Sequence, residues 1–414
     1  MSFNIALSGI QAINEQLSSI SNNIANAGTY GYKAQRANFS SMYAGSQPTG
    51  TQIGSTTQNI GLTGGVLNTG RSLDASIDGK GFFISKTSTG ETVYSRVGIF
   101  TKDANDYLVD SAGRRVQGYP VAQPSGTKGT LGDLTVPTGL LKASPSTAID
   151  FTANLSADWP VMPAAGWVPP NAAATPPVVA DPSTYSMSKV TLAYDSLGNS
   201  HTVTQYFFAD DAAARTVQVR TSVDGVQLPP TDGGEATLTF DTTGQLVVTA
   251  PATKVTNTLK FTGKDAEASE ITIDFTGTTF QKGEATTSTN AADGYAAGSY
   301  VGVELGADGS VIAKYSNGQK QQVGIVALAT FKNEDGLTPV NDTSWTASAA
   351  SGAANEGEPG RGNAGSLAVS SLEGSNVDIT SELVNLMGSQ RNYQANSKVI
   401  TTENQMLQSL MQAL

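Results

Sequence analysis

Apolar side chains recur every seven residues at the start of the chain. Two such series lie three positions apart: Phe3, Ile10, Leu17 and Ile24 form one, and Ala6, Ile13, Ile20 and Ala27 form the other. Positions three and four apart share one face of an α-helix, so the pattern predicts a helix with a coiled-coil-like apolar seam. Gly28 follows the last seam residue and predicts the helix end, because glycine suits the left-handed conformation found there.

The end of the chain carries a similar repeat. One series of seven-residue steps is apolar throughout: Ile379, Leu386, Tyr393, Ile400, Leu407 and Leu414. The companion series is mixed, with apolar Leu383 and Met411 but polar Gln390, Ser397 and Asn404.

This repeat predicts a second helix, capped by Asp378 or Thr380, whose partner is the other end of the same chain or of a neighbouring chain. The polar seam positions either fix the register between helices or face water. For either helix alone, the simpler alternative is an ordinary amphipathic helix on a globular core.

The interior of the chain has the short apolar alternations and turn residues typical of β-strands. Asn317-Gly318 lies between two such runs, at 311–315 and 321–328, and predicts a hairpin. A proline-rich run over 159–182 disfavours regular structure, and strands resume at 188–194. Glycine-rich stretches at 43–65 and 351–365 predict extended linkers.

These patterns predict a mixed, mainly β fold with terminal α-helices in a coiled-coil-like domain and two β domains in series, the outer inserted into the inner. The predicted boundaries are 1–30 with 371–414 for the helical domain, 31–73 with 351–370 for an extended connecting region, 74–147 with 293–350 for the first β domain, and 148–292 for the outer β domain. Isolated helices are marginal in water, so we expect both ends to be mobile in the monomer and to become ordered on assembly.

The charge and residue composition of the chain disfavour several kinds of binding partner. The net charge is −11 and the 24 Lys and Arg residues are scattered, which disfavours binding to nucleic acid or to an anionic membrane surface. Apolar runs are too short for direct membrane insertion, and polar residues interrupt the N-terminus where a cleaved secretory signal would be apolar. With no cysteine and one histidine, we predict no disulfide, no metal site and no cofactor.

Candidate catalytic groups are few. Gly79 and Gly81 flank a lysine but lack the third glycine and following helix of a phosphate loop, so they predict a tight turn. The single histidine, His201, has Asp195 nearby in sequence but no accompanying nucleophile motif. We therefore predict a solvated turn histidine and a protein that is not an enzyme.

Several segments resemble bacterial flagellar rod and hook proteins. Near the start they are residues 6–12, Ser21-Asn22-Asn23-Ile24-Ala25-Asn26 and Thr29-Tyr30-Gly31-Tyr32-Lys33. In the predicted β domains they are 74–83 and 94–100 through 117–119 of the first, and 194–201 of the outer one. Near the end they are Leu372-Glu373-Gly374-Ser375-Asn376-Val377-Asp378, then Glu382 and 390–396. Ala27-Gly28 departs from the commoner Asn-Thr at that position. Rod proteins are shorter and would lack most of 150–290, so the resemblance favours hook over rod.

The resemblance implies a subunit that is exported unfolded by the flagellar type III apparatus, without a cleaved signal peptide, to the flagellar hook outside the cell. There it would polymerise into a curved tube, a universal joint that transmits torque from rod to filament. Implied partners are copies of itself, the distal rod, the hook cap and the hook–filament junction proteins. The alternatives are a rod subunit or, more distantly, a secreted β-rich adhesin.

The residues expected to pack between subunits are the apolar seam positions of the two helices. They are Phe3, Ile10, Ile13, Leu17, Ile20, Ile24, Ile379, Leu383, Leu386, Tyr393, Ile400, Leu407, Met411 and Leu414.

Overall fold

Each end of the chain is an α-helix, and β-strands and turns lie between them. The computed structural model describes residues 2–44, 47–123, 125–162, 166–211, 215–248, 255–262 and 266–413. Helix α1 spans Ser2–Ala25 and helix α2 spans Ile379–Ala413. The predicted mainly β fold with helices at both ends is confirmed.

The helix ends follow local chemistry. The Asp378 carboxylate accepts a hydrogen bond from the Thr380 backbone N–H at 2.9 Å, so that Asp378 is the N-terminal cap of α2. Helix α1 ends at Ala25, and a series of turns carries the chain on past Gly28. The helix therefore stops earlier than the glycine predicted.

Between the two helices the chain forms many short strands. The first group is β1 (Gln35–Ala44), β2 (Gln47–Gln58), β3 (Val66–Asn68), β4 (Ala75–Asp78), β5 (Phe82–Lys86), β6 (Thr92–Ser95), β7 (Phe100–Lys102), β8 (Leu108–Asp110), β9 (Arg115–Ala122), β10 (Thr127–Lys128) and β11 (Gly132–Asp133). The second is β12 (Ala148–Ser156), β13 (Met187–Tyr194), β14 (Ser200–Asp211), β15 (Thr216–Val223), β16 (Val226–Gln227), β17 (Glu235–Thr239), β18 (Thr256–Thr262), β19 (Ala268–Asp274), β20 (Thr279–Gln281) and β21 (Thr286–Ala292). The third is β22 (Tyr300–Leu305), β23 (Ser310–Tyr315), β24 (Lys320–Val326), β25 (Leu328–Thr330), β26 (Thr338–Val340), β27 (Ser344–Thr346), β28 (Asn355–Gly357), β29 (Ser366–Val369) and β30 (Ser371–Glu373).

The chain divides into two compact units. The first comprises Met1–Thr138, Val301–Lys314 and Lys320–Leu414, and the second comprises Gly139–Tyr300 and Tyr315–Gln319. The finer domain boundaries given above remain predictions.

The first unit contains a large mixed-order sheet that runs β22-β23-β24-β9-β5-β6-β27-β26. Its apolar face buries an aromatic core that includes Phe82, Tyr94, Phe331 and Trp345. The rings of Phe82 and Trp345 meet edge to face with centroids 5.7 Å apart, an arrangement that aromatic quadrupoles favour.

The segment predicted as an extended linker has a different structure. Strands β1 and β2 pair along their length into an antiparallel ribbon, from Gln35 opposite Gln58 to Ala44 opposite Gln47. Its Ser-, Thr- and Gln-rich sequence lacks the apolar alternation that marks a strand, but pairing satisfies its backbone hydrogen bonds. The ribbon lies close to α1 at Gly50, where a Cβ atom would be 2.1 Å from Ser8 Oγ.

The second unit has two sheets that enclose one core. One runs β18-β19-β12-β20 with β21 also on β12, and the other runs β13-β14-β15-β16 with β17 also on β15. Phe151 and Phe207 stack between them at 4.9 Å, and Phe275 packs on Phe151 edge to face. The proline-rich run has no strand or α-helix in its described part, as predicted.

His201 differs from the predicted solvated turn residue. It is the second residue of β14 and is 9% exposed. Its Nδ1 lies 2.7 Å from Asp224 Oδ2, and its Nε2 lies 3.3 Å from Asp195 Oδ2. Burial alone would lower the pKa of His201, but the hydrogen bonds to Asp224 and Asp195 outweigh it and raise that pKa. The prediction failed because Asp224 lies in a later turn that the fold brings back to the histidine.

Candidate assembly surfaces and the polar junction

The two terminal helices lie antiparallel against each other. Asn23 Nδ2 donates to Glu382 Oε1 at 2.9 Å, and a Cβ atom on Gly9 would be 3.0 Å from Asn396 Nδ2. Asn23 lies as many residues beyond Gly9 as Glu382 lies before Asn396. The helices therefore keep a single register between these two contacts, and Gly9 allows them to approach closely.

Contacts within the chain bury only one of the two predicted apolar series of helix α1. Ala6, Ile13 and Ile20 are buried. The other series is less covered, since Phe3 is 40% exposed and Ile10, Leu17 and Ile24 are only half-buried. One apolar face of α1 thus remains available to another molecule.

Helix α2 is more open. Among its predicted packing residues, Leu386 and Ile400 are half-buried, and those left exposed are Ile379, Leu383, Tyr393, Leu407 and Met411. Ser389 is the buried residue of this helix within its described part. Of the polar seam residues, Ser397 is half-buried while Gln390 and Asn404 are exposed. Leu414 lies outside the described residues.

Asn23 joins both helices to the root of the ribbon. It is buried, and its Nδ2 donates to the Gln35 carbonyl at 2.8 Å as well as to Glu382. Its Oδ1 accepts from the Gln35 N–H at 2.9 Å and from the Tyr32 hydroxyl at 3.2 Å. Every donor and acceptor of this side-chain amide is therefore satisfied, as a buried amide requires.

Asn376 plays a matching part just before α2. Its Oδ1 accepts from the Ala34 N–H at 2.7 Å. Its Nδ2 donates to the carbonyls of Asn59 at 2.9 Å and Leu62 at 3.0 Å. One side chain therefore binds the backbone on both sides of the ribbon.

Three buried charges lie next to these amides. Lys33 Nζ is 2.7 Å from Glu373 Oε1, and Arg96 Nε is 3.8 Å from Glu373 Oε2, with all three side chains at most 2% exposed. Lys33 also donates to the Leu62 carbonyl, and Arg96 donates twice to the Gly79 carbonyl. Burial lowers the pKa of both Lys33 and Arg96, against the opposing attraction of Glu373.

We call Asn23, Lys33, Arg96, Glu373 and Asn376 the polar junction. Lys33 and Glu373 are 340 residues apart in sequence, so the contact closes nearly the whole chain. All but Arg96 lie in the terminal segments quoted above for their resemblance, yet sequence reasoning gave them no structural role. Within these segments, Lys33 and Glu373 carry opposite charges near the two ends of the chain, and that was the available signal.

The described residues contain no group of three or more His, Asp and Glu side chains placed to hold a metal ion. Within that same part of the chain, neither helix is long and apolar enough to cross a membrane.

Three flagellar protein family models match successive segments that together cover most of the chain. Residues 76–152 match the family described as "Flagellar hook protein FlgE/F/G D1 domain". Residues 155–295 match "Flagellar basal body protein FlaE D2 domain", and residues 369–413 match "Flagellar basal body rod FlgEFG protein C-terminal". These matches follow one another in chain order and include both compact units.

Curated relatives extend the match to nearly the full length. The flagellar hook protein FlgE of Salmonella typhimurium strain LT2 is 36% identical over 99% of both chains. Its counterpart from Escherichia coli strain K12 is 34% identical, also over 99% of both chains. That of Brucella abortus is 33% identical over 96% of this chain and 94% of the relative. The chain therefore belongs to the flagellar hook protein family and is a structural subunit of the bacterial flagellar hook.

Proposed function

We propose that the chain polymerises through its terminal helices into a curved tube that acts as a universal joint between rod and filament. The observation that carries the proposal is the uncovered apolar surface of the two helices. Phe3 and Leu7 of α1 and Leu383 and Leu407 of α2 are each at least 40% exposed. Large apolar side chains left exposed at repeated positions of two paired helices indicate an interaction surface.

The polar junction supports a role in carrying torque. Within the first unit, it ties the C-terminal end of α1 and the segment before α2 to the start of the ribbon and to neighbouring loops through fully paired amides and buried charges. Such a connection would resist separation of the helices from the ribbon, because the hydrogen-bonded groups of Asn23, Lys33 and Asn376 would lose their partners. The helices would then form the continuous inner tube, and the β-rich units would follow its bending.

Specific partners form a further part of the proposal. They are the distal rod, the hook cap, the hook–filament junction proteins and the flagellar type III export apparatus, which would export the chain unfolded and without a cleaved signal peptide. A mass measurement of the N-terminal peptide in assembled hooks tests the last point. The proposal includes no catalytic role, consistent with a family of structural subunits.

Electron microscopy of the purified protein tests polymerisation. We expect curved tubes of fixed diameter, whereas straight rods would favour a rod subunit and the absence of polymer would contradict the proposal. The variant Leu407→Asp places a charge on an exposed apolar position of α2 and should block tube formation while both β units stay folded. The neighbouring exposed change Gln408→Asp is the matched control and should still assemble.

A further inference from the structure

The core of the second unit contains two polar side chains next to each other. Gln205 of β14 and Thr221 of β15 are each 0% exposed and lie directly opposite each other in the antiparallel register. Residues in that relation have Cβ atoms about 4.5–5.5 Å apart, so the amide and the hydroxyl share one small region. Both side chains point inward, because Val203 and Phe207, two positions either side of Gln205 on the same strand face, belong to the core.

The polar atoms of this pair lack protein partners. In the part of the chain that the structure describes, neither the amide nitrogen nor the amide oxygen of Gln205 forms a hydrogen bond, and neither does the hydroxyl oxygen of Thr221. An unpaired buried amide costs folding free energy, and buried polar groups are almost always paired with protein or with ordered water. The buried amide of Asn23, by comparison, is paired at every donor and acceptor.

The surroundings of the pair limit what can bind to it. Val219 and Val223 flank Thr221 on the same strand face and belong to the same apolar core as Val203 and Phe207. An ion would lose its hydration in such a core without gaining an opposite charge. A water molecule needs about two to four polar partners, and the Gln205 amide together with the Thr221 hydroxyl supplies donors and acceptors for it. The ligand that fits is therefore small, neutral and able both to donate and to accept hydrogen bonds.

We infer that a bound water molecule links Gln205 to Thr221 inside the second unit. It joins β14 to β15 through their side chains in addition to the backbone ladder. A slip of β14 by one residue against β15 would turn Gln205 out of the core, so the bound water also favours the observed register. The site lies within the second unit, whereas the proposed polymerisation uses the terminal helices, so each can be tested without the other.

Magnetisation transfer from water tests the site in the full chain. A long-lived internal water gives a nuclear Overhauser effect opposite in sign to that of surface water, and paired NOESY and ROESY spectra separate it from proton exchange. We expect this effect at the side-chain amide protons of Gln205 in isotope-labelled protein and not at those of exposed Gln281 in the same unit. The Gln205 signal is assigned by its loss in Gln205→Leu. Absence of the effect at Gln205 would overturn the inference, because a direct hydrogen bond to Thr221 would then suffice.

The variant Thr221→Val gives a second measurement, since it keeps the side-chain shape and removes its hydrogen bonds. With water bound, the equilibrium constant for unfolding of the second unit should rise by about fivefold, because the water and Gln205 lose a partner. Hydrogen exchange of the β15 backbone amides measures this constant. Thr237→Val, at an exposed position of the adjacent strand β17, is the matched control and should change it by less than about twofold. An unchanged or lower constant for Thr221→Val would overturn the inference, because an unpaired buried hydroxyl is replaced by a methyl group without cost.

Discussion

Glu373 should be the most sensitive residue of the polar junction, because it is the carboxylate that faces two buried cations. Glu373→Gln leaves Lys33 and Arg96 buried without a counter-charge. Breaking a buried ion pair by removing one partner typically costs about 3–5 kcal/mol of the free energy of unfolding. Lys33→Met should cost less, because Glu373 keeps the Gly64 N–H at 3.1 Å and Arg96 at 3.8 Å.

The two substitutions together should cost less than the sum of their separate effects. Burial lowers the pKa of Lys33 even though Glu373 is 2.7 Å away, so desolvation of the lysine outweighs the attraction between the charges. The variant Lys33→Met/Glu373→Gln removes both charges and leaves only Arg96 unpaired. We expect a coupling free energy of about 1–3 kcal/mol, within the range seen for residues in direct contact.

Urea unfolding followed by tryptophan fluorescence measures these effects. Trp345 is 2% exposed in the core of the first unit and reports its unfolding when Trp159 and Trp167 are replaced by phenylalanine. Lys260→Met/Glu270→Gln is the matched control, since this pair on the second unit is more than half exposed. An exposed pair contributes about 0–1 kcal/mol, so the control should leave the Trp345 transition unchanged.

Equal destabilisation of the first unit by Lys33→Met and by Glu373→Gln would refute the central role of Glu373. Additive effects of the two substitutions would show that the junction is held by packing and not by compensation of buried charge.

The other predictions concern pH, backbone packing and order. The pKa of His201 in the folded protein lies above its ordinary value of 6.5. Protonated His201 therefore stabilises the second unit fully below about pH 6.5, and this stabilisation is lost as the pH rises through the pKa of the folded state. His201→Gln should flatten this decline in urea titrations at several pH values. An unchanged profile would argue against stabilisation by the contacts of His201 with Asp224 and Asp195. Gly64→Ala should destabilise the first unit by more than about 1 kcal/mol, because its Cβ would lie 2.0 Å from the Gly374 carbonyl oxygen, whereas Gly65→Ala meets open space and should have little effect in the same urea assay. NMR of the dilute monomer should show both terminal helices to be mobile, and rigid helical resonances there would contradict folding on assembly.

Local patterns predicted the elements whose chemistry is contained in a few neighbouring residues. The seven-residue apolar series predicted both terminal helices, because helical faces repeat at that spacing whatever lies beside them. The cap of α2 was predicted at Asp378 or Thr380 and is Asp378, and Asn317-Gly318 predicted the turn between β23 and β24. The lack of cysteine and the single histidine likewise limited the candidate chemistry from composition alone.

The tertiary structure decided which apolar helix faces are buried and which residues hold the helices in place. The ribbon of β1 and β2 was missed because its strands are stabilised by backbone pairing and by α1, and not by an apolar alternation of their own. His201 and the Lys33–Glu373 pair depend on carboxylates brought from elsewhere in the chain, in the second case from 340 residues away. The sequence therefore determined that both ends are apolar helices. Only the fold decided that Ala6, Ile13 and Ile20 are buried inside the chain while the end of α2 is left exposed, because burial depends on register and relative helix length.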